Sequence, residues 1–374
     1  MKRIYTEYFQ EYLNKKIVLI TGPRQSGKTT VTGLFKGARE YLNFDNEEHR
    51  TIYKDKSWDR KNDFIVFDEL HKKPKWKQWL KGIYDTEKIP PGLVVTGSAR
   101  LDTFKKMGDS LAGRYFHYRL YPLDLREIVK INPRIDREEV LEKLLNFSGF
   151  PEPYLEANDK FYHLWKRTHL DIILKQDLIF QEDVRHLKSI ELLIDILKTK
   201  IGSPISYSSL AQELQCSDKT VKRWLTILEN MYVIFKIIPY SKNIARSSLK
   251  QPKYYFYDNA RVVGDAGVKL ENLVACSLLK ECHFRQDCLG EDWELFYLRK
   301  KGGIEVDFLI SNKQTPKIMI EVKTSDDKPT KNFSIFFKEL KNIQQVQIVK
   351  NLVREKTYPS GVEVRKVSNW LVDW

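Results

Sequence analysis

Ile17-Val18-Leu19-Ile20-Thr21-Gly22-Pro23-Arg24-Gln25-Ser26-Gly27-Lys28-Thr29-Thr30 is the stretch that decides the fold. Four aliphatic residues in a row, with no polar alternation, read as a strand covered on both faces. The run breaks at Gly22, and a helical run, TTVTGLFKG, follows Lys28. Between them Gly22 to Thr29 satisfies G-x-x-x-x-G-K-[ST] at every fixed position. In such a loop the glycines let backbone N–H groups turn toward a β-phosphate, and the following helix adds its positive end. Lys28 would span the β- and γ-phosphates, and Thr29 would offer a hydroxyl to Mg²⁺. Gly22, Pro23, Arg24, Gln25, Ser26, Gly27, Lys28, Thr29 and Thr30 are the expected nucleotide-binding residues.

Working outward, YLNF (41–44), FIVFDE (64–69) and GLVVTGS (92–98) are further strand-like runs separated by helical stretches. That alternation predicts an α/β fold with a parallel sheet covered by helices. FIVFDE ends in two carboxylates at the carboxyl edge, where ligands of such sheets bind. Asp68 is expected in the Mg²⁺ water shell, and Glu69 is expected to position and activate the attacking water. Thr96 and Ser98 end the next strand and suit water orientation or γ-phosphate sensing.

SGFPEPY (148–154) carries two prolines and a glycine, which read as a helix interruption and a boundary. Leu164, Ile172, Ile173, Leu174, Leu192, Leu193, Ile196 and Leu197 then recur at helical intervals. Residues 205–240 hold two helical runs broken at Cys216 and Ser217, followed by β-rich sequence, the outline of a winged helix-turn-helix. With Ser217 as N-cap, Asp218 to Glu229 becomes a recognition helix. Val221, Leu225 and Leu228 face inward, and Lys219, Thr220, Lys222 and Arg223 face outward for DNA. Protein docking is the alternative use of such a module. From about 254 a strand, an amphipathic helix and five short β-type runs predict a third, α/β domain.

The 374 residues suit two or three domains, and 42% apolar with 12% aromatic residues fits a folded chain. No window approaches the roughly 20 apolar residues of a membrane span, and the first residues lack a signal-peptide core. The expected location is cytoplasmic, with no membrane partner. Cys276, Cys282 and Cys288 are evenly spaced with His283 among them, yet lack the paired short spacing of a zinc site, and are read as thiols. The net charge of +14 favours polyanionic partners, nucleic acid first.

GPRQSGKTT, VFDELHK, VVTGSAR, LAGRYFHYRLYPLDLREI, GFPEPY, EVDF and IEVK together resemble prokaryotic AAA ATPases in which the ATPase precedes the domain of unknown function 4143. The resemblance covers nearly the whole chain and implies ATP as the nucleotide. It also makes Arg114 the candidate γ-phosphate-contacting arginine, in cis or from a neighbour in a homo-oligomer, with Arg100 as runner-up.

Glu305 to Ile310 and Ile318 to Lys323 read as adjacent strands. Alternation puts Glu321 and Lys323 on one face, where Asp307 would join them. Two carboxylates suit Mg²⁺, and a neighbouring lysine suits water activation for phosphodiester cleavage. The arrangement is similar to the PD-(D/E)XK nuclease core, with Glu271 in the place of its helical Glu. An active nuclease and an inactive nuclease-like fold both remain open. The expected architecture is an ATPase domain at 1–150, a helical and winged-helix segment at 151–253 and a nuclease-like domain at 254–374. Its expected role is an ATP-driven switch or motor at nucleic acid, or alternatively an ATP-regulated scaffold.

Overall fold

Five strands build the sheet that carries the loop: β1 (Ile17–Thr21), β2 (Arg39–Asn43), β3 (Phe64–Asp68), β4 (Gly92–Thr96) and β5 (Tyr115–Arg119). They are seen in a computed structural model that describes residues 2–87, 91–97, 111–174, 186–241 and 251–374. All five run parallel, in the order β2-β3-β4-β1-β5. Every residue of the three inner strands is buried, which is why they read as unbroken apolar runs, while edge strands β2 and β5 alternate less apolar residues. Parallel pairing has one consequence for chemistry: Thr21, Asn43, Asp68, Thr96 and Arg119 end their strands at one shared edge.

One face of this sheet is sealed by an aromatic cluster in which Phe67 packs against Tyr53, Trp58 and Trp79. Burying a side chain such as Phe67 contributes about 1.5–3 kcal/mol relative to leaving it exposed. The cluster therefore anchors β3, and with it Asp68, against movement along the strand.

The chain divides into two compact units. The first comprises Met1–Pro122 with Asn230–Tyr232 and Asp287–Leu289; the second comprises Leu123–Glu229, Val233–Gln286 and Gly290–Trp374. Residues 123–150, grouped by sequence with the loop, lie in the second unit. There the helix Leu125–Ile131 packs on the helix Val367–Asp373. Buried Lys280 also donates to Glu127 at 2.7 Å and Asp124 at 3.1 Å.

The prolines of SGFPEPY start a helix, Pro151–Glu156, instead of breaking one. A first turn needs no N–H from its residues, so Pro151 at the first position costs nothing. Leu164 and Leu192, two of the residues that recur at helical intervals, are 56% and 49% exposed. The helix Asp159–Ile172 turns Tyr162, Trp165 and His169 inward instead.

Helices Tyr207–Glu213 and Asp218–Asn230 follow, joined by a tight turn with Gln215 at φ 50°. Ser217 caps the second helix, its hydroxyl accepting from the Thr220 N–H at 3.1 Å. An antiparallel pair, β6 (Ile234–Ile237) and β7 (Lys253–Phe256), comes next. The 24-residue helix Ala266–Leu289 then leads into β8 (Trp293–Arg299), β9 (Glu305–Asn312), β10 (Thr315–Lys323), β11 (Gln344–Val349), β12 (Lys356–Thr357) and β13 (Glu363–Lys366). These form a mixed sheet in the order β12-β13-β11-β10-β9-β8. The chain is thus α/β, with a parallel loop-bearing sheet, a helical middle and a mixed C-terminal sheet. Among the described residues no helix is long and apolar enough to cross a membrane.

Candidate nucleotide site and a second carboxylate cluster

The loop leaves β1 through Gly22, which has a φ of 147° and no room for a side chain, since a Cβ there would stand 2.1 Å from the Leu120 carbonyl oxygen. Gly27, at φ 91°, caps the helix Lys28–Thr32. Lys28 is buried, and its ammonium donates to the carbonyls of Gly22 at 3.0 Å and Pro23 at 2.5 Å. A phosphate oxygen would compete for those same N–H donors. Ser26 is buried, and its hydroxyl has no hydrogen-bond partner among the described residues. Thr29 and Thr30 are exposed in the first turn, beside half-buried Arg24.

Arg3 supports the loop from a distant part of the sequence. Its buried guanidinium donates to the carbonyls of Ser26 and Tyr121, both at 2.7 Å. Sequence reading missed it because nothing local marks an arginine near the start of the chain as a loop brace.

Asp68 sits between Asn43 and Thr96 on the shared edge. Its Oδ1 accepts from the Thr96 hydroxyl at 2.5 Å and the Glu69 N–H at 3.0 Å. Its Oδ2 accepts from the Thr29 hydroxyl at 3.2 Å and from the Tyr41 phenol. Thr96, expected to orient water, is thus turned onto Asp68. Tyr41 was not foreseen, since a tyrosine in a strand reads first as ordinary packing. Burial, followed by the hydrogen bond to Asp68, pushes the Tyr41 phenol above its usual range, so it remains a donor.

Glu69 differs from its neighbour. Its backbone is left-handed, at φ 54°, which swings the side chain out of the strand. Its Oε2 makes no hydrogen bond among the described residues and lies 3.5 Å from His71 Nε2 and 3.6 Å from Lys72 Nζ. Burial, and then the charge of Asp68, raise its carboxyl above the ordinary range, against the pull of Lys72, Arg24 and Lys28. A carboxylate of raised basicity with a loosely held oxygen is suited to accepting a hydrogen bond from water. The oxygen-rich set of Thr29 and Asp68 fits Mg²⁺.

Arg114 does not reach this edge within its own chain. It precedes β5, its carbonyl accepts from the Ile17 N–H at 3.0 Å, and it therefore marks the opposite end of the sheet, about 16 Å of strand away. Its guanidinium is instead held by Asp85, at 2.7 and 3.1 Å. Arg119, level with Thr21, ends β5 at the loop edge, and it grips Asp287 at 2.6 and 2.9 Å. Ser98 and Arg100 lie outside the described residues.

In the second unit, Ile320 pairs with Phe308 across β9 and β10, which sets Asp307 level with Glu321. Asp307 Oδ2 accepts from the Val322 N–H at 2.9 Å, and Lys323 donates to Glu321 Oε1 at 2.8 Å. Glu321 is 5% exposed, and its Oε2 has no hydrogen-bond partner among the described residues. Glu271 joins from the long helix, accepting from Tyr255 at 2.8 Å. A lysine that sequence reading missed completes the group. Lys253 is buried and lies 2.5 Å from Glu305 and 3.5 Å from Glu271. Burial alone would depress its ammonium, but Glu271, Asp307 and Glu305 outweigh it and raise it. Burial, then the charges of Glu271 and Glu321, drive Asp307 well above the usual carboxylate range. Glu321 is raised chiefly by burial, against the pull of Lys323. The unmatched Glu321 oxygen fits a hard cation. Yet among the described residues no group of three or more Asp, Glu, His or Cys side chains is arranged to hold a metal.

On the helix Asp218–Asn230, Lys219, Lys222 and Arg223 are exposed and Thr220 is half-buried. The Lys222 ammonium stands 5.1 Å over the Tyr207 ring, so part of this basic face is already ordered.

The parallel sheet and its loop define an AAA-type P-loop domain, and residues 14–129 match the family described as AAA domain. Residues 138–264 match the domain of unknown function 8612 and residues 266–368 the domain of unknown function 4143. The chain is an AAA-type protein with a C-terminal domain of unknown function 4143. Two proteins of Methanocaldococcus jannaschii, both described as uncharacterized, are similar to it. They are 26% identical over 361 residues and 25% over 366, covering 87% and 82% of this chain and 80% and 75% of their own. A Haemophilus influenzae protein is 21% identical over 408 residues, covering 98% of this chain and 97% of its own. Among solved structures, RuvB of Thermotoga maritima is 14% identical with a TM-score of 0.31, covering 62% of this chain and 84% of its own.

Proposed function

We propose that the chain binds ATP with Mg²⁺ and hydrolyses it. The observation that carries this reading is the meeting of Lys28, Thr29, Asp68 and Glu69 at one edge of the parallel sheet. Gly22 to Thr30 would cradle the phosphates, with Thr29 and Asp68 serving the metal. Glu69 positions and activates water. Bound Mg²⁺ would supply charge neutralisation at the β- and γ-phosphates.

We further read the chain as an ATP-driven switch or motor at nucleic acid. The helix-turn-helix with its following antiparallel pair is taken as a winged helix, and Lys219, Thr220, Lys222 and Arg223 as its DNA-facing residues. Asp307 and Glu321 would hold a cation between them, and Lys323 would assist phosphodiester cleavage. An inactive nuclease-like domain on an ATP-regulated scaffold is the second reading. It is favoured by the internal engagement of Lys323 with Glu321 and of Lys253 with Glu305.

One experiment separates these readings: ATP turnover measured with and without single- and double-stranded DNA, the same tubes examined for cleavage products. Turnover stimulated by DNA supports the nucleic-acid role. Turnover indifferent to DNA, without cleavage, supports the scaffold, and absence of turnover overturns the ATPase.

A further inference from the structure

We propose that Tyr41 is a positioning residue of the nucleotide site, its phenol fixing the Asp68 carboxylate so that Asp68 acts on Mg²⁺ through the Thr29 hydroxyl. The proposal rests on the nucleotide reading above and extends it to a residue on the edge strand.

An ionised carboxylate has about four lone-pair sites. Asp68 has four donors: the Thr96 hydroxyl and the Glu69 N–H on one oxygen, the Thr29 hydroxyl and the Tyr41 phenol on the other. With both oxygens engaged in this way, Asp68 can act on a bound cation through one of these donors as well as from the water shell. Thr29 alone among them belongs to the phosphate loop. Its hydroxyl hydrogen points at Asp68, which leaves its oxygen lone pairs to face a cation. At 3.2 Å the Thr29 bond is longer than those from Thr96 and Glu69, and so depends most on where Asp68 Oδ2 is held.

Tyr41 does the holding. It lies on β2 two residues before Asn43, on the same face, and Asn43 pairs directly with Asp68. The Asn43 amide donates to the phenol oxygen at 3.4 Å, and the phenol's own hydrogen is thereby directed to Asp68. A neutral donor suits this place. A lysine or arginine would neutralise Asp68 and repel the incoming cation, whereas a phenol orients the carboxylate and leaves its charge for the metal.

The test measures binding of a fluorescent ATP analogue, with EDTA and across a Mg²⁺ titration, for the parent chain, Tyr41→Phe, Thr29→Ala and the double variant. Tyr41→Phe keeps the ring and removes one hydrogen bond to a charged acceptor, so the half-saturating Mg²⁺ concentration should rise about tenfold. Binding in EDTA and the unfolding temperature should stay at parent values, which a merely structural tyrosine would not separate. Thr29→Ala should raise the requirement at least as far, and adding Tyr41→Phe to it should change nothing more, because the tyrosine acts through that hydroxyl. A Tyr41→Phe chain with the parent's Mg²⁺ requirement, or a double variant in which the two effects multiply, overturns the proposal. A parent that binds nucleotide without turning it over defeats the hydrolysis reading alone, because Mg²⁺-dependent binding still decides Tyr41. A parent that binds no nucleotide in either condition overturns both.

Discussion

Asp68 and Asp307 are both carboxylates on inner strands beside a second acidic residue, but their surroundings treat the charge in opposite ways. Asp68 receives four hydrogen bonds from its own chain, so donors meet both of its oxygens. Among the described residues Asp307 receives one, from the Val322 N–H, and it faces Glu271 and Glu321, so burial and like charge drive it toward the protonated form. The first site is organised before any cation arrives. The second carries an electrostatic deficit that a proton or a cation must relieve. Buried Lys253 offsets part of it, through Glu305 and Glu271.

The largest effect expected lies in the first site. Lys28→Ala should abolish nucleotide binding, whereas Glu69→Gln should bind normally and turn ATP over about 10²–10⁴-fold more slowly, the range of one acid–base group. Equilibrium binding and single-turnover rates on the two variants check this, and parent-like hydrolysis by Glu69→Gln would remove the contrast between Asp68 and its neighbour.

The second site should respond to pH and metal with a definite sign. Because the folded-state pKa values of Asp307 and Glu321 lie above their unfolded values, the stability they contribute is complete below the ordinary carboxylate range. It is lost as pH rises through the raised values. The unfolding transition of this region should therefore fall in temperature as pH rises, and Mg²⁺ at about 100 times its dissociation constant should restore about 2.7 kcal/mol. Asp307→Asn should flatten both the pH and the metal dependence in scanning calorimetry. A parent that is indifferent to Mg²⁺ at high pH would make the cluster a proton-holding structural group, and would leave the inactive fold as the better reading.

A smaller effect is expected on the basic helix. Neutralising Lys219, Lys222 and Arg223 together should weaken DNA binding at low salt. The slope of log affinity against log salt should also become shallower by about one for each phosphate these side chains no longer neutralise. An unchanged slope in a folded triple variant would take this helix off the DNA surface.

The smallest change is expected for Arg114. Paired with Asp85 at the far edge, it should leave turnover by the isolated chain unaltered when replaced by alanine. Turnover measured across a protein-concentration series is the check. A loss confined to high concentration would make Arg114 a contributor from a neighbouring copy.

The sequence by itself determined the phosphate loop, the inner strands, the Ser217 cap and the face of Asp218–Asn230 that points inward, because each is written in residues a few positions apart. Strand alternation likewise foresaw Glu321 and Lys323 side by side. Only the tertiary structure decided which distant groups meet. Arg3 braces a loop 23 residues away, Tyr41 reaches Asp68 across 27 residues, and Lys253 finds Glu271 and Glu305. No period or spacing encodes such meetings, since they depend on strand order and on which residues share an edge. The same physics moved Arg114 away from the loop. A residue just before a strand lies at that strand's amino end, and only the parallel pairing of β5 with β1 showed that this end faces away from the phosphate loop.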